Sequence, residues 1–109
     1  GGNYDARPLG ITVENVSDEF AREARLTADR RGARVVTAET WAQRGGYFTS
    51  DGSDVITAVL FPRPRRDIRS TGDLREVLGK VKNGDTISLQ VYNVRAGNSR
   101  VVSLTIGDQ

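Results

Sequence analysis

The sequence contains neither cysteine nor histidine. Without cysteine, disulfides and cysteine-based zinc sites are excluded. Without histidine, Ser-His-Asp and Cys-His catalytic groups and histidine-ligated metals are excluded, and the commonest general base is missing. Asp51 and Asp54 flank a Gly-Ser pair but provide too few oxygen ligands for calcium. The composition therefore predicts a non-catalytic domain with no metal and no cofactor.

Aromatic residues are also scarce, at 6% of the chain, and no apolar run approaches the length of a membrane helix. The sequence therefore predicts no direct membrane insertion. The formal net charge is only +2, which does not demand a nucleic-acid partner. The densest charge cluster comprises Arg63, Arg65, Arg66 and Arg69, without interleaved aromatics. A solvated loop is the favoured interpretation, and electrostatic contact with an acidic protein surface is the alternative.

The length of 109 residues suits one ordinary domain. We expect residues 1–7 to form a flexible N-terminal segment, residues 8–107 to form the domain, and residues 108–109 to form a C-terminal tail. No signal peptide is recognisable, so the chain is either cytoplasmic or a piece of an exported protein.

Hydrophobic periodicity predicts an α+β domain in the order strand, short helix, strand, strand, helix, strand, strand. The clearest helix is carried by Leu74, Val77, Leu78 and Val81, which fall on one face at helical spacing. Ser17 is the expected N-cap of the first helix, and Ser70 or Thr71 of the second. The remaining segments alternate apolar and polar residues or are rich in β-branched residues. The predicted strands are 9–16, 33–40, 54–61, 85–94 and 100–106.

Gly10 lies where a strand is about to begin, in the stretch RPLGITVENV. Glycine weakens a strand interior because it loses the most backbone entropy and packs nothing. Two interpretations remain open from the residues alone. Gly10 relieves a tight turn, or it allows another group to come close to the backbone.

Four stretches in order resemble a PDZ domain, and more narrowly the PDZ domains of bacterial HtrA/Deg-type serine proteases. PLGI (residues 8–11) resembles the family's carboxylate-binding loop. Residues 32–48 resemble its strand, turn and short helix, and residues 53–59 its Gly-Asp-x-Ile strand start, with Ser53 in place of the glycine. Residues 68–91 resemble the groove-lining helix and the following strand. The resemblance implies a small, partly open β-barrel or sandwich of five to six strands capped by two helices.

The resemblance also implies a peptide-binding site. A partner's C-terminal carboxylate would dock on the amides of Leu9, Gly10 and Ile11, since Pro8 has no N–H. The peptide would add as a strand along residues 11–13. The implied strand and groove residues are Thr12, Val13, Thr71, Arg75 and Leu78.

By this resemblance the domain would belong to a periplasmic, secreted or cell-envelope protease that forms homo-oligomers. Its partners would be C-terminal peptides of substrate or partner proteins, together with the parent protease domain, which carries the catalytic triad. Peptide binding would deliver substrate or regulate the protease. The alternative is an interaction domain with an occluded groove that docks neighbouring domains or subunits. A PDZ module of a secretion or intramembrane-protease system is a third possibility. An exposed, unfilled groove favours peptide binding, whereas a groove plugged by residues 1–7 or by the YFTSDGS loop (residues 47–53) favours the occluded alternative.

Overall fold

A computed structural model describes residues 2–107, which form an α+β domain built on one antiparallel sheet. The sheet has seven strands in the order β1-β2-β3-β4-β6-β7, with β5 also paired to β4. The strands are β1 (Tyr4–Ala6), β2 (Ile11–Asn15), β3 (Ala33–Ala38), β4 (Asp54–Phe61), β5 (Arg66–Asp67), β6 (Thr86–Asn93) and β7 (Asn98–Thr105). The helices are α1 (Asp18–Glu23), α2 (Thr40–Arg44) and α3 (Thr71–Leu78), with 3₁₀ turns at Arg7–Leu9 and Ala28–Arg30.

The α+β class is confirmed, but the expected barrel or sandwich of five to six strands is not found. The additional strands are short: β1 has three residues and β5 has two. Within residues 2–107 the sheet is not closed, because its order runs from β1 at one end to β7 at the other. This architecture is compatible with a PDZ-like fold but is not specific to it. The expected C-terminal tail, residues 108–109, lies outside the described residues.

The first helix is shorter than the sequence pattern predicts, which is a helix from the cap at Ser17 to a stop at Gly32. Ser17 caps it as expected, because its hydroxyl accepts a hydrogen bond from the Phe20 amide at 3.0 Å. The helix ends at Glu23, where Arg25 adopts a left-handed conformation (φ 55°) and the Leu26 amide returns to the Ala21 carbonyl. Only Ala21 is buried along this helix, so little packing supports further turns.

Helix α3 begins as predicted, with the Ser70 hydroxyl accepting from the Asp73 amide at 3.2 Å. Leu74 and Leu78 are buried, while Val77 and Val81 are half-buried against the core. Buried side chains of β1 to β4, β6 and β7 pack with Leu74 and Leu78 of α3 to form the core. Its largest fully buried apolar side chains are Leu9, Val13, Val35, Val55, Ile56, Val59, Ile68, Leu74, Ile87, Leu89 and Val91.

No helix among residues 2–107 is both long enough and apolar enough to cross a bilayer. The same residues contain no group of three or more carboxylates placed to hold a metal ion.

Candidate functional site

The N-terminal segment pairs with the strand edge on which the sequence predicts peptide binding. Tyr4, Asp5 and Ala6 of β1 lie opposite Val13, Thr12 and Ile11 of β2 in an antiparallel register. The other edge of β2 pairs with β3. Residues 11–13 therefore have a partner strand on both sides, and neither edge is free to receive another strand in this conformation.

Residues 4–6, within the segment that was expected to be flexible, thus form an ordered strand of the sheet. The apolar residues Tyr4 and Ala6 alternate around Asp5, and a short turn links them to β2. Alternation and a turn are the signals of a hairpin, but three residues are too few for periodicity to identify a strand. Ala6 is completely buried, so this end of β1 belongs to the core.

The predicted wall residues do lie beside this hairpin. Thr71 begins α3, and its amide donates to Asn15 Oδ1 at 2.8 Å, which ties the helix to the end of β2. One turn further on, the Arg75 guanidinium lies 4.8 Å from the centre of the Tyr4 ring. Leu78 is only 5% exposed and packs in the core cluster. The structure therefore brings the predicted strand and helix together, with β1 contacting both.

Contact with Arg75 also shapes the environment of the Tyr4 phenol. Burial raises the pKa of Tyr4, the positive charge of Arg75 opposes this, and the nearby Asp5 carboxylate adds to the rise. The phenol remains neutral at physiological pH. Its ring is consequently available to the guanidinium as an uncharged cation–π partner.

The amides predicted to bind a carboxylate lie in the turn between β1 and β2. Leu9 is fully buried, and Ile11 is the first residue of β2, opposite Ala6. The Gly10 amide donates to the Arg7 carbonyl at 2.9 Å, so it already has a partner within the chain. A polar hollow of about 630 Å³ adjoins this turn, and its charged lining consists of Asp5, Arg7 and Glu39. Two carboxylates facing one guanidinium do not favour an incoming anion.

Both interpretations of Gly10 apply in this structure. Its φ of +67° is left-handed, which a tight turn requires and glycine adopts without strain. The group that comes close to the Gly10 backbone is the Trp41 side chain of the same domain. A Cβ at this position would lie 2.4 Å from Trp41 Cζ2, and the Glu39 amide donates to the Gly10 carbonyl at 2.8 Å. Gly10 therefore fixes the packing of the β1–β2 turn on α2.

A buried ion pair lies at the start of β4, far from this turn in the sequence. Asp54 is fully buried and accepts hydrogen bonds from Arg100 Nη1 and Nη2 at 2.9 and 3.0 Å, from Asn93 Nδ2 at 2.8 Å and from the Thr49 amide at 2.9 Å. Burial raises the pKa of Asp54, but the hydrogen bonds from Arg100, Asn93 and Thr49 outweigh it, so the pKa lies below its ordinary value. The bond from the Thr49 amide ties Asp54 to the preceding turn, and nothing in the local sequence predicts its pairing with Arg100.

The arginine cluster is largely neutralised within the chain. Arg66 binds Asp73 at 3.0 Å and Glu76 at 3.1 Å, and Arg65 and Arg69 both contact Asp67. The hydrogen bonds to Arg66 lower the pKa of Glu76. Most of this loop's positive charge therefore organises β5 and α3 rather than remaining free for a partner.

No protein-family model and no curated protein sequence matches this chain.

Proposed function

We propose that this chain is a non-catalytic interaction domain whose peptide groove is closed by its own N-terminal strand, and that it docks neighbouring domains or subunits. The observation that carries the proposal is the pairing of residues 4–6 with residues 11–13. A peptide adding to β2 would need the same main-chain groups.

Tethering makes this closure effective. β1 and β2 are joined through Arg7–Gly10, so β1 competes at an effective concentration on the order of millimolar or higher. When the open form is a minor state, the apparent Kd for peptide equals the intrinsic Kd divided by the fraction of molecules that are open. If about 1% of molecules are open, a micromolar intrinsic affinity falls to roughly 100 μM.

A second candidate is the peptide-binding function implied by the resemblance, with C-terminal carboxylates as ligands. The short length of β1, three residues, favours it, because so short an edge strand is displaceable. On this proposal Thr71, Arg75 and Leu78 would line the opened groove. Membership of an HtrA-type protease, a cell-envelope location, and substrate delivery to a separate catalytic domain are further parts of the same proposal.

A titration of the isotope-labelled full chain tests closure. The ligand is a short peptide ending in valine, with a C-terminally amidated copy as its control, and NMR shifts are followed at Leu9, Gly10 and Ile11. If β1 closes the groove, neither peptide should shift these three amide signals in the unmodified chain. The variant Ala6→Glu places a charge where the side chain is fully buried, so it should release β1 and allow the free acid, but not the amide, to bind.

Asn3→Glu adds the same charge at an exposed residue just before β1 and should behave like the unmodified chain. If Ala6→Glu loses its dispersed spectrum, a chain shortened by residues 1–6 gives a second route, since it lacks β1 altogether. Specific binding of the free acid to the unmodified chain would overturn closure in favour of the second candidate. Failure of both opened variants, still folded, to bind either peptide would show that no peptide groove lies under β1.

A further inference from the structure

A second concave surface lies between the C-terminal end of α3 and the loop that follows β4. It is a cleft of about 500 Å³, within the size range of ligand sites. None of the residues predicted to bind a peptide lines it. Its apolar lining comprises Val59, Phe61, Pro62, Pro64, Val77 and Val81.

The cleft has a buried floor and an exposed aromatic residue at its edge. Val59 is 1% exposed, whereas Phe61 is 48% exposed, and Val77 and Val81 are half-buried against the core. Among residues 2–107, Phe61 and Val101 are the only large hydrophobic residues that are exposed. An exposed aromatic side chain beside an apolar hollow is typical of a surface that binds an apolar group.

Charge around the cleft is predominantly positive. Four cations and one carboxylate line it, namely Arg63, Arg65, Arg66, Lys80 and Asp85. Arg65 and Arg66 are held by carboxylates of the same chain, and Asp85 accepts a hydrogen bond from the Lys82 amide. Arg63 and Lys80 form no ion pair with any of the residues described here. Two cations without an ion pair therefore line the cleft, Arg63 on the loop after β4 and Lys80 just after α3, where its charge also acts on Glu76.

We propose that this cleft docks an acidic segment of a partner protein, which inserts one bulky apolar side chain beside Phe61 and places carboxylates against Arg63 and Lys80. The positive rim supplies the charge complementarity, and the apolar floor supplies the anchor site. Pro62 and Pro64 have no N–H to offer an added strand, so recognition is through side chains. The inference rests on the proposed docking function, for which it names the surface and the chemistry of the partner.

The test uses the labelled full chain and blocked peptides, so that no terminal carboxylate is available. One hexapeptide, acetylated and amidated, has Phe-Leu at its centre and two glutamates on each side; its control has glutamines instead. We expect shifts at Phe61, Arg63, Val77 and Val81, and about tenfold tighter binding of the glutamate peptide, which corresponds to about 1.4 kcal/mol. The double variant Arg63→Glu/Lys80→Glu should abolish that preference.

Lys82→Glu is the matched control, because Lys82 is an exposed cation close in sequence to Lys80 that does not line the cleft. It should keep most of the preference for glutamate. Phe61→Ser should weaken both peptides alike. Equal affinity for the two peptides, or a preference that survives the double variant, would overturn the proposal. Tighter binding of dodecanoate than of the glutamate peptide at the same amides would assign the cleft to a small anionic amphiphile instead.

The two proposals fail separately. Closure of the β2 edge is measured at Leu9, Gly10 and Ile11 with free-acid peptides, and cleft binding is measured at Phe61 to Val81 with blocked peptides. If the cleft binds neither blocked peptide and the β2 edge stays closed, the proposed docking surface is wrong and closure still holds. If the cleft binds as expected and the free-acid peptide also binds the unmodified chain, closure is wrong and the docking surface still holds.

Discussion

The guanidinium of Arg75 on α3 lies over the ring of Tyr4 on β1, 4.8 Å from its centre. This contact joins the helix to the strand that occupies the β2 edge. It also links a residue predicted to line a peptide groove to the segment that closes the groove. Its strength therefore bears directly on how readily β1 opens.

A double-mutant cycle should detect this coupling. Tyr4→Ala and Arg75→Ala together should destabilise the domain by about 0.5–1 kcal/mol less than the sum of the single effects, because each removes the same cation–π contact. Urea unfolding of the four proteins gives the value. Hydrogen exchange should quicken at the β1–β2 amides in both single variants. Strict additivity would mean that the contact does not hold β1 in place.

Gly10→Ala should be considerably more destabilising than Gly97→Ala. Both glycines have left-handed φ values, +67° and +72°, but only Gly10 faces Trp41, whereas a Cβ at Gly97 meets nothing within 4 Å. We expect a loss of about 1 kcal/mol at Gly97 from backbone strain alone. At Gly10 the strain and the clash together should cost about 2–3 kcal/mol. Equal losses in urea unfolding would show that Trp41 moves aside without cost.

Removing Arg100 should destabilise the domain strongly, because it leaves the carboxylate of the fully buried Asp54 without its cation. We expect Arg100→Ala to cost about 3 kcal/mol, the lower end for a broken buried pair, since the Arg100 side chain is itself 35% exposed. Arg95→Ala removes an arginine from an exposed pair with Asp51 and should cost less than about 1 kcal/mol. Similar losses for the two variants in thermal or urea unfolding would contradict this assignment.

Stability should also fall in acid through Asp54. Its pKa is depressed in the folded state, so its contribution is fully present above the unfolded value of about 3.9 and is lost as the pH falls through the folded value. Asp54→Asn should show a smaller decrease in unfolding free energy between pH 5 and pH 2 than the unmodified chain. Because the chain has no histidine, side-chain titration should contribute little between pH 6 and 8. An unchanged acid limb in Asp54→Asn would contradict the role of Asp54.

Much of the secondary structure could be predicted because its signals are local. The alternation of Ile87, Leu89 and Val91 identifies β6 with its buried face, and the period of Leu74, Val77 and Leu78 identifies α3. Helix caps are equally local, as Ser17 and Ser70 show. A tight turn at Gly10 was one of the two interpretations that the residues left open, because glycine adopts a positive φ without strain.

The candidate site could be predicted only in part. The resemblance to PDZ domains implies that β2 and α3 are neighbours, and the structure places Thr71 and Arg75 beside β2 and β1. What occupies the β2 edge could not be foreseen, because β1 has three residues and gains its stability from the partner strand and from burial of Ala6. The open cleft at Phe61 likewise depends on how the loop after β4 packs against α3.

The sequence by itself determined the α+β class, most of the helices and strands, and the absence of histidine- and cysteine-dependent chemistry, because composition and short-range periodicity carry that information. Only the tertiary structure decided which strand edge is filled, which arginines are neutralised, and that Arg100 reaches Asp54 across 46 positions of sequence. These outcomes depend on contacts between segments that are distant or very short. The stability of these contacts comes from burial and pairing that two or more segments share, so no single stretch of residues determines them.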